Sequence, residues 1–427
     1  MNNHLLQKVE DSIAPLSFIK ANGYYTVGDK IFNYKRSAMV HATKTKQKIN
    51  WIFHNNEFER LNWRQQSNVD IRTLYLARAK QLREKYNYLI LCWSGGADSD
   101  TVLDTFLYNN IHLDELVIYW PLSRTKGKYC PTTNVDPANF VSEWDFVIQP
   151  KLTIVQQQFP KLKITILDLH SDDNLKITPY HESDMLESLY PNYFQIERKR
   201  MLNNLIKDRI NQHNCVGTIY GFSPIEVFLI DNWLAVQFSD IAFSASHKTD
   251  YINGGWPMSI EYFYWTPELP NLVRDQAHIL LRYYDHNPSC LKYINCYSLT
   301  STGLKIRVAP SSADQETHRK IRKSLIYPDF NQTTFQTAKP HDGRNTTFPG
   351  AFSWFWNHPE TTRFIDPWRD AMKSYHSQID KQFLQNDNGF GHTPITTRPY
   401  PVGKLSDQAY EKFNILMNRQ HNNFLYK

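Results

Sequence analysis

Apolar and polar positions alternate between two periods along this chain, and the switches between them mark its elements. Gly23–Asn33 reads as two short strands around a Gly28-Asp29 turn, with a basic helical segment over Lys35–Lys46 and a further strand at Ile49–Phe53. Over 70–86 the residues Ile71, Leu74, Leu76, Ala77, Ala79 and Leu82 fall near one helical face, with Arg78, Lys80, Arg83 and Lys85 on the other. Tyr88–Trp93 is a short, bulky apolar run, the mark of a buried strand. It breaks at Ser94-Gly95-Gly96. Val102, Leu103, Phe106 and Leu107 then recur at helical spacing, so a helix begins at about Ser99, with Ser99 or Asp98 near its cap.

The same rhythm continues. A second buried strand, Leu113–Trp120, stops at Pro121, and a helical stretch over Ala138–Phe159 precedes a third strand at Lys163–Leu169. A long charged helix over Tyr193–His213 leads to a fourth strand, Cys215–Tyr220, ending in Gly221. Strand, helix, strand in this order is a right-handed unit and predicts a parallel sheet, whose ligands gather beyond the carboxyl ends of the strands. Glu226–Phe238 has the pattern of a hairpin around Asp231-Asn232. Pro267 is expected to open a helix with Leu269, Leu272, Val273, Ala277, Leu280 and Leu281 inward and Arg274, Gln276 and His278 away from that stripe. His318–Lys323 is a basic cluster on a further helix, read as a solvated face or a contact for an anionic partner. Residues 340–401 are loop-rich, broken by an aromatic stretch around Trp354 and Trp356.

The expected fold is therefore α/β: a parallel twisted sheet with flanking helices, preceded by a small N-terminal α+β cap and followed by a largely helical C-terminal region. The corresponding divisions are 1–69, 70–255 and 256–427.

Composition narrows the class. With 41% hydrophobic and 21% charged residues the chain is globular, and its 427 residues can bury a large core. A net charge of +6 suits anionic ligands such as nucleotides and is weak support for nucleic acid. Five scattered cysteines offer no C-x-x-C pair, which excludes a zinc ribbon and a dithiol redox site and fits a reducing cytoplasm. Neither a secretory leader nor an apolar run of about 18 residues is visible, so a cytoplasmic protein without membrane contact is expected.

Candidate chemistry concentrates at Ser94-Gly95-Gly96-Ala97-Asp98-Ser99. A glycine loop between strand and helix aims backbone N–H groups and the positive end of the helix dipole at one point, an anion site. The pattern lacks the G-x-x-x-x-G-K-[ST] loop of kinases and GTPases and the G-x-G-x-x-G dinucleotide fingerprint. Ser-Gly-Gly-x-Asp-Ser after a strand resembles the signature of the PP-loop ATP pyrophosphatases, the HUP-like, Rossmann-like group that includes the synthetase domains of asparagine, GMP, NAD and argininosuccinate synthetases. Three phrases, RAKQLREKYNYLILCWSGGADSD, EYFYWTPELPNLVRDQAH and IYPDF, also resemble PP-loop proteins of large tailed bacteriophages, which would place the protein in host cytoplasm.

The resemblance implies ATP and Mg²⁺ as ligands. Backbone N–H groups of Gly95, Gly96 and Ala97, with Ser94 and Ser99, would hold the departing pyrophosphate, and Asp98 would bind the metal. Ile118, Tyr119 and Trp120 would meet the adenine, and Tyr220-Gly221 would lie against the nucleotide. Arg124, Lys126, Lys128 and Lys248 are further candidates for phosphate contacts, and His170, Asp172, Asp173, His181, Glu182 and Asp184 for a second metal. The implied activity is adenylation: ATP is split to AMP and pyrophosphate to activate a carboxylate or carbonyl oxygen for an amine or other nucleophile. The acceptor, a small metabolite or a tRNA or DNA base, and the oligomeric state are left open by the sequence. Asn2 in place of a nucleophilic cysteine argues against a glutaminase domain. The absence of Glu-Cys-Gly-x-His after Cys296 argues against a sulfonucleotide reductase, and the lack of closely paired cysteines against sulfur insertion. A non-catalytic nucleotide-binding regulator or assembly module is the alternative from another class.

Overall fold

The computed structural model describes residues 23–32, 35–66, 69–120, 144–168, 193–221, 225–240, 259–301, 303–330, 377, 379 and 395–425. Among these residues three sheets carry the architecture. The first is the expected cap: strands β1 (Tyr24–Val27), β2 (Lys30–Phe32) and β3 (Ile49–Ile52) pair antiparallel in the order β2-β1-β3, with helix α1 (Lys35–Thr45) and the short α2 (Asn55–Arg60) beside them. Lys35 forms a fully buried ion pair with Asp240 at 2.7 Å, and Tyr25 donates to the same carboxylate at 3.1 Å.

Central to the molecule is a five-stranded sheet of β4 (Tyr88–Cys92), β5 (Glu115–Trp120), β6 (Lys163–Asp168), β7 (Val216–Tyr220) and β10 (Ser259–Tyr262), in the order β10-β7-β4-β5-β6 with every pair parallel. Helices α3 (Ile71–Lys85), α4 (Ala97–Tyr108), α5 (Gln149–Gln158) and α6 (Tyr193–Gln212) flank it. Leu89, Ile90, Leu91, Leu116, Val117, Ile118 and Ile219 are completely buried, as expected of strands covered on both faces. The sheet runs outward from β4 in one direction and then returns to place β7 on the other side, so the strand order reverses between β4 and β7. Such a switch point opens a crevice at the carboxyl ends of the two strands. This arrangement is compatible with a Rossmann-like core.

The boundary expected at 255 falls just before β10, yet β10 pairs with β7 in this sheet. Among the described residues the C-terminal region also contributes strands that were not expected there. β11 (Cys296–Thr300), β12 (Gly303–Val308) and β13 (Tyr400–Lys404) join the hairpin β8 (Glu226–Ile230) and β9 (Trp233–Gln237) in a mixed sheet, order β12-β11-β8-β9-β13. Short alternating strands between loops gave too weak a period to be read there. Among the described residues, helices α7 (Asn271–His286), α8 (Ser312–Ile326) and α9 (Asp407–Leu425) accompany these strands.

Two helical faces differ from the sequence reading. Arg78 on α3 is completely buried, donating to Glu261 at 2.7 Å and to the Tyr262 carbonyl at 2.9 Å, because β10 packs against that face. Helix α7 starts at Asn271, with Pro270 at its cap and turns over the residues after Pro267. Arg274, Gln276 and His278 are buried alongside its apolar stripe; each makes hydrogen bonds inside the protein, His278 to the Trp63 carbonyl at 2.8 Å. Polar residues on a helix covered from several sides need not face water. Among the described residues no helix is long and apolar enough to cross a membrane.

Candidate functional site

The loop Ser94–Gly96 leaves the carboxyl end of β4 and enters α4 two residues earlier than the sequence predicts. The helix begins at Ala97, with Gly96 as its cap and no side chain capping it. Ser99 is therefore inside the first turn, where it braces the loop: its hydroxyl accepts from the Ser94 N–H at 3.1 Å and donates to the Gly96 carbonyl at 3.1 Å. It is 4% exposed. Ser94 is exposed, and its hydroxyl lies 3.3 Å from the Ser99 hydroxyl and accepts from the Gly96 N–H at the same distance.

Gly95 has φ +75°, a backbone region that strains other residues, and a Cβ there would lie 2.7 Å from Cγ1 of Ile148. Ile148 ends a turn of π-helix, Trp144–Ile148, that covers this part of the loop. A Cβ on Gly96 would meet only the Ser94 hydroxyl, at 3.2 Å. The loop is thus closed at Gly95 and open at Gly96, next to the first-turn N–H groups that a helix cannot satisfy internally. That combination fits an anion such as a phosphate.

Gly221 follows β7 across the switch point. A Cβ there would fall 2.7 Å from the Asp98 carbonyl oxygen, 2.7 Å from Ser99 Cα and 2.9 Å from Ser99 N. It lets the end of β7 lie directly against the backbone of the first turn of α4. Tyr220 before it is 8% exposed.

Asp98 is held from two sides. Its carbonyl accepts a hydrogen bond from the Tyr264 hydroxyl. Its Oδ1 accepts from the Tyr327 hydroxyl at 2.6 Å and lies 3.3 Å from Nζ of Lys323. Both phenols are fully buried, and burial together with the neighbouring Asp98 raises them well above the usual tyrosine range, so each remains a donor. The Asp98 side chain is 29% exposed. One carboxylate reachable by solvent, at a helix N-terminus beside an open glycine, fits a magnesium ion that keeps most of its waters.

A carboxylate pair follows on α4, Asp100 in the same first turn as Asp98 and Asp104 one turn on. Asp100 accepts from the Trp93 indole at 3.2 Å, and Lys151 of α5 lies 3.6 Å from it and 2.7 Å from Asp104. Burial raises the Asp100 carboxyl above its ordinary range despite the pull of Lys151. These groups tie α5, and with it the π-turn, to the loop helix.

At the end of β5, Ile118 is completely buried and Trp120 is 4% exposed, its ring 5.8 Å from Trp144. Tyr119 is half-buried, with its hydroxyl 3.4 Å from the Cys92 sulfur. Arg124, Lys126, Lys128, Lys248, the His170–Asp184 cluster and the aromatic stretch around Trp354 lie outside the described residues. Among the described residues no group of three or more histidine, cysteine or acidic side chains is arranged to hold a metal.

The structure thus gathers Ser94–Ser99, Tyr220 and Gly221 at one crevice. It adds Tyr264, Lys323, Tyr327, Lys151 and Ile148, which residue spacing near the loop does not single out. Lys323 and Tyr327 do lie in segments marked by the sequence, the basic cluster and the IYPDF phrase. No family profile, characterised protein or solved structure matches the chain.

Proposed function

We propose that the protein is an ATP-dependent adenylating enzyme of PP-loop type, cutting ATP between the α- and β-phosphates and passing AMP to a carboxylate or carbonyl oxygen of an acceptor. The observation that carries this reading is the Ser94–Gly96 loop at the β4/β7 switch point, with Asp98 presenting a carboxylate beside an open helix N-terminus. First-turn amides and the Ser94 hydroxyl would bind the leaving pyrophosphate, Asp98 would orient the magnesium that offsets its charge, and Tyr264 and Tyr327 would hold Asp98 in place. Catalysis of this kind is chiefly positioning and charge neutralisation. The acceptor would be an amino acid-like metabolite or a base of tRNA or DNA.

The test is incubation with α-labelled ATP and Mg²⁺, alone and with metabolite, tRNA or DNA fractions. The expected outcome is AMP and pyrophosphate, stimulated by one fraction and lost in Asp98→Ala. Release of ADP would refute the assignment. Tight ATP binding with no turnover in any fraction would replace it with a nucleotide-binding regulator.

A further inference from the structure

The contact between Lys323 and Asp98 joins residues far apart in the sequence at the one carboxylate assigned to the metal. Of the basic residues on α8, Arg322 is turned inward, donating to the Ile225 carbonyl at 2.9 Å, while Arg319 and Lys320 are exposed on the outer surface. Lys323 sits one turn before Tyr327 and reaches the same oxygen that Tyr327 holds. Asp98 Oδ1 therefore has two donors already, one of them a full positive charge.

We propose that Lys323 is a built-in counter-ion that occupies Asp98 in the nucleotide-free protein and must give way before a divalent cation binds there, so that metal enters with the phosphates and not ahead of them. The inference rests on the reading of the loop as a magnesium–nucleotide site. A divalent ion coordinated by Asp98 would stand within about 2.1 Å of a carboxylate oxygen, and the ammonium lies 3.3 Å from Oδ1. Two cations would then face each other across one negative charge in a crevice only partly open to water, where repulsion is weakly screened. Two donors need not leave together. The Tyr327 phenol is buried, and its hydrogen bond is compatible with metal on the other oxygen. Lys323 is a point charge on a flexible four-carbon stem, 27% exposed, and can swing out without disturbing the fold. Phosphate oxygens arriving at the helix N-terminus supply the negative charge that makes this exchange favourable.

The probe is Mn²⁺ alone, titrated into nucleotide-free protein and followed by the electron paramagnetic resonance signal of free ion. Wild type is expected to bind weakly. Lys323→Met should bind about fivefold tighter, a change the size of one partly screened charge contact, and Lys323→Arg should stay close to wild type. The gain should vanish in the double variant Lys323→Met with Asp98→Asn. Lys323→Gln serves if the methionine variant unfolds, with circular dichroism checking each. A non-hydrolysable ATP analogue should then raise Mn²⁺ affinity more in wild type than in Lys323→Met. Equal Mn²⁺ affinity in wild type and Lys323→Met would overturn the proposal, as would a gain that persists without Asp98. If the analogue fails to bind, the nucleotide reading fails, while the competition at Asp98 is still decided by the metal titration.

Discussion

Replacing Gly221 by alanine isolates the contact on which the crevice depends. The added methyl would be 2.7 Å from two atoms of the α4 first turn and 2.9 Å from a third, whereas ordinary contact begins at 3.4 Å. All three are backbone, so no rotamer can relieve the clash. Either β7 or the first turn of α4 must move by about 0.7 Å. The first turn is itself pinned through Asp98 by Tyr264, Tyr327 and Lys323, so the shift carries the carboxylate with it. Overpacking of this kind costs about 1–3 kcal/mol. A displacement approaching 1 Å at a reacting centre costs roughly 10²-fold in rate. Gly217→Ala is the control, since the atoms nearest its methyl, at 2.5–2.9 Å, are in the ring of Tyr86, nearer the start of the same strand. Urea unfolding should show both variants weakened to similar extents. Hydrogen exchange at the amides of Ala97–Asp100 should accelerate only in Gly221→Ala, and AMP formation should fall about 100-fold only there. Equal exchange and turnover in the two variants would refute the coupling between β7 and the loop.

Further expectations concern the parts that support the site. His318, on α8, is half-buried with its Nδ1 2.6 Å from the Tyr284 hydroxyl, and desolvation with Arg322 and Arg319 nearby lowers it to about 3. The fold thus favours the neutral ring: its contribution is complete above the ordinary histidine range and is lost as pH falls from about 6.5 toward 3. Stability should drop by roughly 1 kcal/mol per pH unit across that window, and His318→Asn should flatten the dependence of the urea midpoint. Glu115, at the opposite end of β5 from the crevice, is completely buried and accepts from Arg209 at 2.6 and 3.0 Å and from Tyr88 at 2.8 Å. Burial alone would raise its carboxyl, but these donors and Thr165 hold it below the usual range. Glu115→Ala strands the Arg209 guanidinium and should cost about 3–5 kcal/mol by urea unfolding. Its effect on AMP formation per folded molecule should be small.

How much of this was legible depended on the range of the interactions. Strand β4, the glycine loop and α4 are local, and their hydrophobic periods placed them correctly to within a few residues. The start of α4 was missed because Ser99 resembles a cap, whereas here its hydroxyl turns back on Gly96 within the first turn. The parallel sheet followed from strand–helix alternation. β10 escaped it, since Ile260 to Trp265 reads equally well as the start of a following region. Arg78 was misplaced for the same reason: its partner Glu261 is 183 residues away. Lys323 and Tyr327 stood out as a charge cluster and a short phrase, but nothing along the chain could aim them at Asp98.

That distance has a consequence during synthesis. Tyr327 lies 229 residues after Asp98, so at about 5–20 residues per second roughly 10–45 s pass between the two leaving the ribosome. Tyr264 and the fifth strand of the sheet follow Asp98 by no more than 166 residues, but for the whole interval the nascent chain carries the loop without Tyr327, and for nearly all of it without Lys323. Asp98 is then without the two side chains that hold its carboxylate. On the proposed reading, the site is complete only when translation has passed α8, so fragments shorter than that should not turn over ATP.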